Sequence, residues 1–550
     1  MRSTMRMLGL VTPAMLAGAG LAHAQSRPDV NGTEAAVVAG HPLAAAAGAD
    51  VLRRGGNAID AAVTMAAVLA VVRPHMNGVG GDAFLLIHEA RTGRVHALNG
   101  SGRAGSLATP EGFRERGLDR VPNTGIHSVT VPGAVRAWAD ALRRFGTISL
   151  EAALAPAIHY AEEGFPVSRV LAEDIASSRR TIEGDAPLAA VFLRGGRPPE
   201  VGSLLRQTDL AATLRTLAER GPDALYRGEI GQRIARFLRD ENGFITLSDL
   251  EQHTSTWQEP IWTDYLGYRI GAFPPNTQGI AMLMQMNMAE RFELRDMGHN
   301  SAQYVKTLAG ITRIAFQERD RFVTDPAFVD VPVDRMLSKD YARRLVSGIA
   351  SPREEPGVSI RHGDGDTVYL CVIDRDGNAV SMIQSLFNAF GSGRMVPGTG
   401  ILLHNRGGLF ELDPAHVNVV APGKRTYHTL APAIALHSDG SPFLLFGTPG
   451  GDGQTQTLIQ VFNSLVMFGM SPQQAIEAPR WRFTAPDRML LEPGFPQDVQ
   501  AVLVAAGLDV SFTDGLSSAM GNAQLIMINR QPRILRTGAD MRREGYAIAW

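Results

Sequence analysis

Apolar positions recur at helical spacing in some stretches of the chain and form short continuous runs in others. Residues 41–54 and 57–72 are alanine-rich and separated by Gly55-Gly56, which predicts two helices packed closely and buried on several sides. Residues 150–163 predict an amphipathic helix, and residues 168–249 a mainly helical region with polar breaks around 195–202. Residues 301–322 begin with an N-cap serine and place Val305, Leu308, Ile311, Ile314 and Phe316 at helical spacing. Residues 454–468 predict another helix, with Ile459, Val461, Phe462, Leu465 and Val466 as its apolar face. Short β-rich runs predict strands at 83–87, 95–98, 367–373, 379–385, 433–437, 443–447 and 524–529. Strands flanked by helices on both sides predict an α/β layered architecture. The sequence shows no repeat of solenoid period and no low-complexity tract.

The chain turns on one junction. Gly363-Asp364-Gly365-Asp366 reads as an exposed, strained loop, and Thr367 starts a buried strand that turns back at Asp374-Arg375-Asp376-Gly377-Asn378. If the Asp366–Thr367 bond breaks, Thr367 gains a free α-amine beside its own hydroxyl. That amine can remove the hydroxyl proton and activate the nucleophile, because its reference pKa of roughly 7.7–8.0 leaves part of it neutral near pH 7. The residues alone also fit an ordinary strand threonine after a polar turn.

Three glycine-rich loops are further candidates. Asn77-Gly78-Val79-Gly80-Gly81-Asp82 enters a strand and could approach an anion, but it lacks the Gly-Lys-Ser/Thr of a nucleotide loop. Arg103, in the loop 99–105, is placed either to clamp a carboxylate in bidentate fashion or simply to face solvent. Gly450 and Gly451 precede the helix at 454, where their amides could hold an oxyanion or merely turn the chain. Gly-x-Ser-x-Gly, Ser-x-x-Lys and His-Glu-x-x-His do not occur, and the histidines lack metal-ligand spacing. We therefore expect neither a metal nor a cofactor.

Composition narrows the classes. With 550 residues, 45% of them hydrophobic, and a formal net charge of −2, the chain can bury a large core. It has no electrostatic footprint for nucleic acid or an anionic membrane. Its cations are almost all arginine, since Lys306, Lys339 and Lys424 are the only lysines. Arg2 and Arg6, the apolar stretch 7–21 and Ala22-His23-Ala24 predict a signal peptide over 1–24, export to the periplasm or medium, and a mature start near Gln25. The apolar run is too short and too interrupted to span a membrane. The single cysteine, Cys371, falls on a predicted core strand and reads as packing. Residues 352–366 read as a linker.

Several motifs then occur in a fixed order: Gly365-Asp366-Thr367, Asp374-x-Asp376-Gly377-Asn378, Phe390-Gly391-Ser392-Gly393, Pro422-Gly423-Lys424-Arg425 and Thr448-Pro449-Gly450-Gly451. Together with residues 77–82, Phe273-Pro274-Pro275 and residues 320–330, this succession resembles the γ-glutamyltransferase family of N-terminal-nucleophile hydrolases. The resemblance implies a four-layer αββα sandwich made as a proenzyme. It implies a large chain from about 25 to 366 and a small chain, 367–550, that stay together as one protomer. Thr367 would be the nucleophile in self-cleavage and in attack on an amide, Gly450 and Gly451 would stabilise the oxyanion, and Ser385 would orient the threonine.

Departures from the family pattern bear on substrate. Phe387 stands where an asparagine usually holds the substrate's α-amino and carboxylate groups, with Asn388 adjacent. Arg406 occupies the segment that usually carries an acidic residue, His428-Thr429 replaces a serine pair, and Arg103 is the nearest match to the family's early arginine. This looks more like the branch of oxamate amidohydrolases and glutaryl-type cephalosporin acylases, acting on small carboxylate-bearing amides. A glutathione hydrolase proper is the alternative within the family, and a non-catalytic periplasmic carboxylate-binding protein is the alternative outside it.

Overall fold

The computed structural model describes residues 27–347 and 365–550. The expected signal peptide and most of the expected linker lie outside these residues. Strand β1 (Ala36–Ala39) leads into helices α1 (Pro42–Arg53) and α2 (Ala58–Val72). The His41 ring accepts the Leu43 N–H at the start of α1, and Asn57 and Asp60 form a capping box at the start of α2. A hairpin follows, β2 (Asp82–Glu89) and β3 (Arg94–Gly100). After a helical region come α3 (Gly279–Ala289) and α4 (Ala302–Phe322), the latter capped by Ser301.

The central hairpin is β4 (Asp366–Ile373) and β5 (Ala379–Phe387). Asp374 closes its turn by accepting from Asp376 N–H, Asn378 N–H and the Asn378 side chain. Strands β6 (Ala433–Leu436) and β7 (Pro442–Gly447) precede α5 (Gly453–Phe462), which continues as a π-helical turn over Asn463–Met467. Strand β8 (Gln524–Arg530) lies near the end of the chain.

Two seven-stranded antiparallel sheets result. The first runs Tyr546–Ala549, β1, β4, β5, β2, β3, Thr256–Gln258. The second runs Val30–Gly32, Arg533–Ala539, β8, β7, β6, Tyr268–Ala272, Ile261–Tyr265. Each sheet therefore mixes strands from before and after residue 366. Alternation along β4 shows how they pack: Val368, Leu370 and Val372 join the core made with α1 and α2, whereas Tyr369, Cys371 and Ile373 join Ile434, Leu445 and Ile526 of the second sheet. Helices α3, α4 and α5 share a third core with β6 and β7. With both faces of β4 covered, its sequence is a continuous apolar run rather than an alternating one.

Sequence pattern found the principal helices and the central hairpin, but it missed α3, whose methionine-rich sequence is buried all round and shows no stripe. It also missed the short strand Tyr268–Ala272 and the edge strands Ile261–Tyr265 and Tyr546–Ala549. Asp366, expected in an exposed loop, is instead the first residue of β4 and only 5% exposed, because an arginine far along the chain pairs with it.

Candidate active site

The site forms where β4 begins and β5 ends. Thr367 pairs with Ser385 across the hairpin, and the register shifts between Asp366 and Thr367, so that Asp366 faces Phe387. Phe387 takes φ 81°, unusual for a bulky residue, to accommodate the extra residue. This bulge aims three groups at one another. Thr367 Oγ1 donates to Ser385 Oγ at 3.0 Å, and Ser385 Oγ donates to the Asp366 carbonyl oxygen at 2.8 Å. The Phe387 N–H donates to the same serine oxygen at 2.7 Å. One buried hydroxyl thus bridges the threonine and the carbonyl of the peptide bond just before it.

Gly450 and Gly451 close the far side. Their φ values, 127° and 54°, belong to backbone that favours glycine. A Cβ on Gly365 would lie 2.8 Å from Gly451 N, so Gly451 packs closely against the chain entering the Asp366–Thr367 bond. Gln278, at the start of α3, donates to the carbonyls of Gly451 and Thr429 at 2.9 and 2.7 Å. Arg319 of α4 and Tyr427 both donate to Asp452 Oδ1 at 2.9 Å, fixing the turn that opens α5. Helices α3 and α4 therefore hold the turn rigidly in place.

Arg406 and His428 converge on Asp82, the last residue of the glycine-rich loop 77–82. Asp82 is fully buried, and its Oδ2 contacts His404 Nδ1 at 3.0 Å, Arg406 Nε at 3.1 Å and His428 Nε2 at 3.1 Å. Its Oδ1 accepts the Gly102 N–H. Burial pushes the Asp82 carboxyl up, but His404 and then His428 outweigh it and hold it well below the usual range. His428 itself is pulled down to about 3 by burial and by the charge of Arg406. Arg406 also donates to Thr429 Oγ1 at 3.2 Å and lies 4.5 Å from the centre of the Phe387 ring. Its charge is therefore answered by Asp82, and its Nη2 has no hydrogen-bond partner.

Arg103 is half-buried, with a long 3.4 Å contact to the Thr254 carbonyl, and directly follows Gly102, whose amide binds Asp82. Burial and the neighbouring Arg103 bring Arg425 down to about 10. Arg103 and Arg425 both donate to the Thr254 carbonyl, at 3.4 and 3.3 Å, and two guanidinium groups on one oxygen suit a carboxylate beside them. The Asn388 backbone N–H donates to Asn405 Oδ1 at 3.0 Å, while its own Oδ1 is buried without a partner. Phe387 lines a cavity of about 810 Å³ together with Leu118, Asn123, Leu409 and Phe410. Among the described residues, no cluster of His, Cys, Asp or Glu is arranged to hold a metal ion, and no helix is long and apolar enough to cross a membrane.

The fold and this site define an enzyme of the N-terminal-nucleophile amidohydrolase and acyltransferase class. Residues 44–550 match the family described as Gamma-glutamyltranspeptidase, and the chain belongs to it. It is 40% identical to the glutathione hydrolase-like YwrD proenzyme of Bacillus subtilis, over 94% of this chain and 99% of that one. It is 38% identical to the oxamate amidohydrolase proenzyme of Klebsiella pneumoniae, with the same coverage. The crystal structure of cephalosporin acylase from Bacillus halodurans superposes with a TM-score of 0.89 at 38% identity, covering 98% of this chain and 99% of that one. These similarities place the chain alongside the acylase-like branch of its family.

Proposed function

We propose that this protein is an exported amidohydrolase that cuts itself between Asp366 and Thr367 and then uses Thr367 on small carboxylate-bearing amides. The supporting observation is the bridge Thr367 Oγ1–Ser385 Oγ–Asp366 C=O. In the first reaction Thr367 Oγ1 adds to the Asp366 carbonyl carbon, and the C–N bond breaks. The hydroxyl proton ends on the departing amine. Water then hydrolyses the ester, leaving an α-carboxylate on Asp366 and a free amino-terminal Thr367. Ser385 polarises the carbonyl and fixes the threonine rotamer.

In turnover the new α-amine accepts the hydroxyl proton while Oγ1 attacks the substrate amide. The amides of Gly450 and Gly451 receive the developing oxyanion, and the acyl group leaves to water or an amine. Residues 25–366 and 367–550 become the large and small chains of one protomer, and the helix, sheet, sheet, helix order of the three cores supports an αββα sandwich. The substrate carboxylate falls to Arg103, beside Arg425, with Phe387, Arg406, His428 and Thr429 shaping the acyl pocket. A γ-glutamyl substrate is the second reading, favoured by Asn388 Oδ1, a buried acceptor that an α-ammonium could satisfy. Intact mass of the purified protein and of Thr367→Ala tests the first step. Two pieces, the smaller beginning at Thr367, are expected from the wild type only. The substrate is then read from turnover of glutaryl, oxamate and γ-glutamyl amides. A full-length chain that still hydrolyses amides would refute the mechanism.

A further inference from the structure

The hairpin ladder that positions β4 fails at the bond to be cut. Register shifts by one residue between Asp366 and Thr367, so that Asp366 faces Phe387 across a bulge rather than continuing the regular ladder. Its carbonyl is held by Ser385 and its predecessor by Gly451, but neither contact sets the side chain. That third anchor comes from the loop between the strands Arg533–Ala539 and Tyr546–Ala549. Arg543 Nη2 donates to Asp366 Oδ1 at 2.7 Å, with both side chains under a tenth exposed, at 8% and 7%. Arg543 Nη1 reaches Met76 Sδ at 3.3 Å, and the Met76 carbonyl accepts from Leu386 N–H, the extra residue of the bulge. The guanidinium therefore touches one edge of the irregularity directly, at Asp366, and the other through Met76. Next to it, Glu544 pairs with the fully buried Arg73 at 3.0 Å, which ties this loop to the end of α2.

We infer that Arg543 is a positioning residue for self-cleavage: by gripping the Asp366 side chain it sets the plane of the peptide that Thr367 attacks. The inference rests on the self-cleavage reading above. A charge-assisted contact between two buried groups has one favoured geometry, unlike a surface pair. Arg543 touches the residue on the acyl side of the bond and not Thr367, so its effect belongs to maturation.

The test is a time course of precursor conversion on denaturing gels, after rapid purification. Wild type is compared with Arg543→Met, Arg543→Lys, Asp366→Asn and the exchange Asp366→Arg with Arg543→Asp. Conversion at least tenfold slower for Arg543→Met and Asp366→Asn is expected, with partial recovery in Arg543→Lys and in the exchange. Melting temperatures measured in the uncut Thr367→Ala background separate positioning from folding. Equal conversion of wild type and Arg543→Met overturns the inference and leaves self-cleavage standing. So does slow conversion with no recovery in either rescue variant and a matching fall in melting temperature. A wild type that is never cut removes the reading on which the inference rests. If Arg543→Met yields no soluble protein, Asp366→Asn, which keeps the residue's shape, decides by the same criterion.

Discussion

At the scale of single residues, Ser385 shows how little separates a structural hydroxyl from a catalytic one. Its Oγ takes hydrogen bonds from Thr367 and the Phe387 N–H and gives one to the Asp366 carbonyl, so its hydrogen-bonding capacity is filled. Replacing it with alanine removes the polarising donor and leaves a buried N–H without an acceptor. Each loss is worth roughly 1–2 kcal/mol. We expect Ser385→Ala to fold and to convert its precursor about ten- to a hundredfold more slowly, read from band intensities against time; unchanged conversion would show that the bridge is incidental. Arg406 carries the opposite lesson. A guanidinium that looks available to a ligand in the sequence is answered by a buried carboxylate in the fold.

At the scale of elements, the turn between β7 and α5 is the proposed oxyanion side of the site. Gly450 has φ 127°, a conformation that side chains with a Cβ rarely adopt. Gly450→Ala must either strain that turn or rotate the amides away from the oxyanion position. Losing one such donor costs about 100- to 1,000-fold in turnover. A fall of that order in kcat, with KM changed much less, is the expected outcome in steady-state assays. Near-normal kcat would mean that the oxyanion is held elsewhere. The turn tolerates little movement because Gln278, Arg319 and Tyr427 reach it from three other segments of the chain.

At the scale of the whole molecule, the proposed cut would not create separable halves. In the first sheet β4 and β5 lie between β1 and β2, so strands from one side of residue 366 are hydrogen-bonded to strands from the other. Both pieces should co-elute in size-exclusion chromatography and part only in denaturant; separate elution would contradict the sheet order. Acid should loosen the fold as a unit. Burial brings His41, His253 and His428 down to about 3, with Arg73, Arg425 and Arg406 adding to the effect at the three sites respectively. Below the ordinary histidine pKa of about 6.5 the unfolded chain binds protons that the folded one refuses, so stability falls as pH drops from there towards 3. Each histidine contributes a slope of about 1.4 kcal/mol per pH unit within that window. The melting temperature should fall accordingly. His253 stacks on Tyr226 and neither ring nitrogen has a hydrogen-bond partner, so His253→Phe should make the fall shallower. An unchanged slope would show that this histidine is protonated in the native state.

What the sequence determined by itself was local in character. A threonine at the head of an apolar strand, a turn rich in Asp, Gly and Asn, a glycine pair before a helix and two close-packed alanine-rich helices are each written in a few consecutive residues. Periodicity and turn chemistry report burial and backbone conformation directly, and the ordered motifs were enough to indicate a family. The tertiary structure decided which distant groups meet. Asp82 answers Arg406 across 324 residues, and Arg543 answers Asp366 across 177. No spacing rule encodes either pair, because a charge is neutralised by whatever the fold brings within about 3 Å. The bulge at Asp366–Thr367 is of the same kind. It arises where a strand that is apolar on both faces, read correctly from sequence, meets anchors supplied by β5, by the turn before α5 and by the far end of the chain.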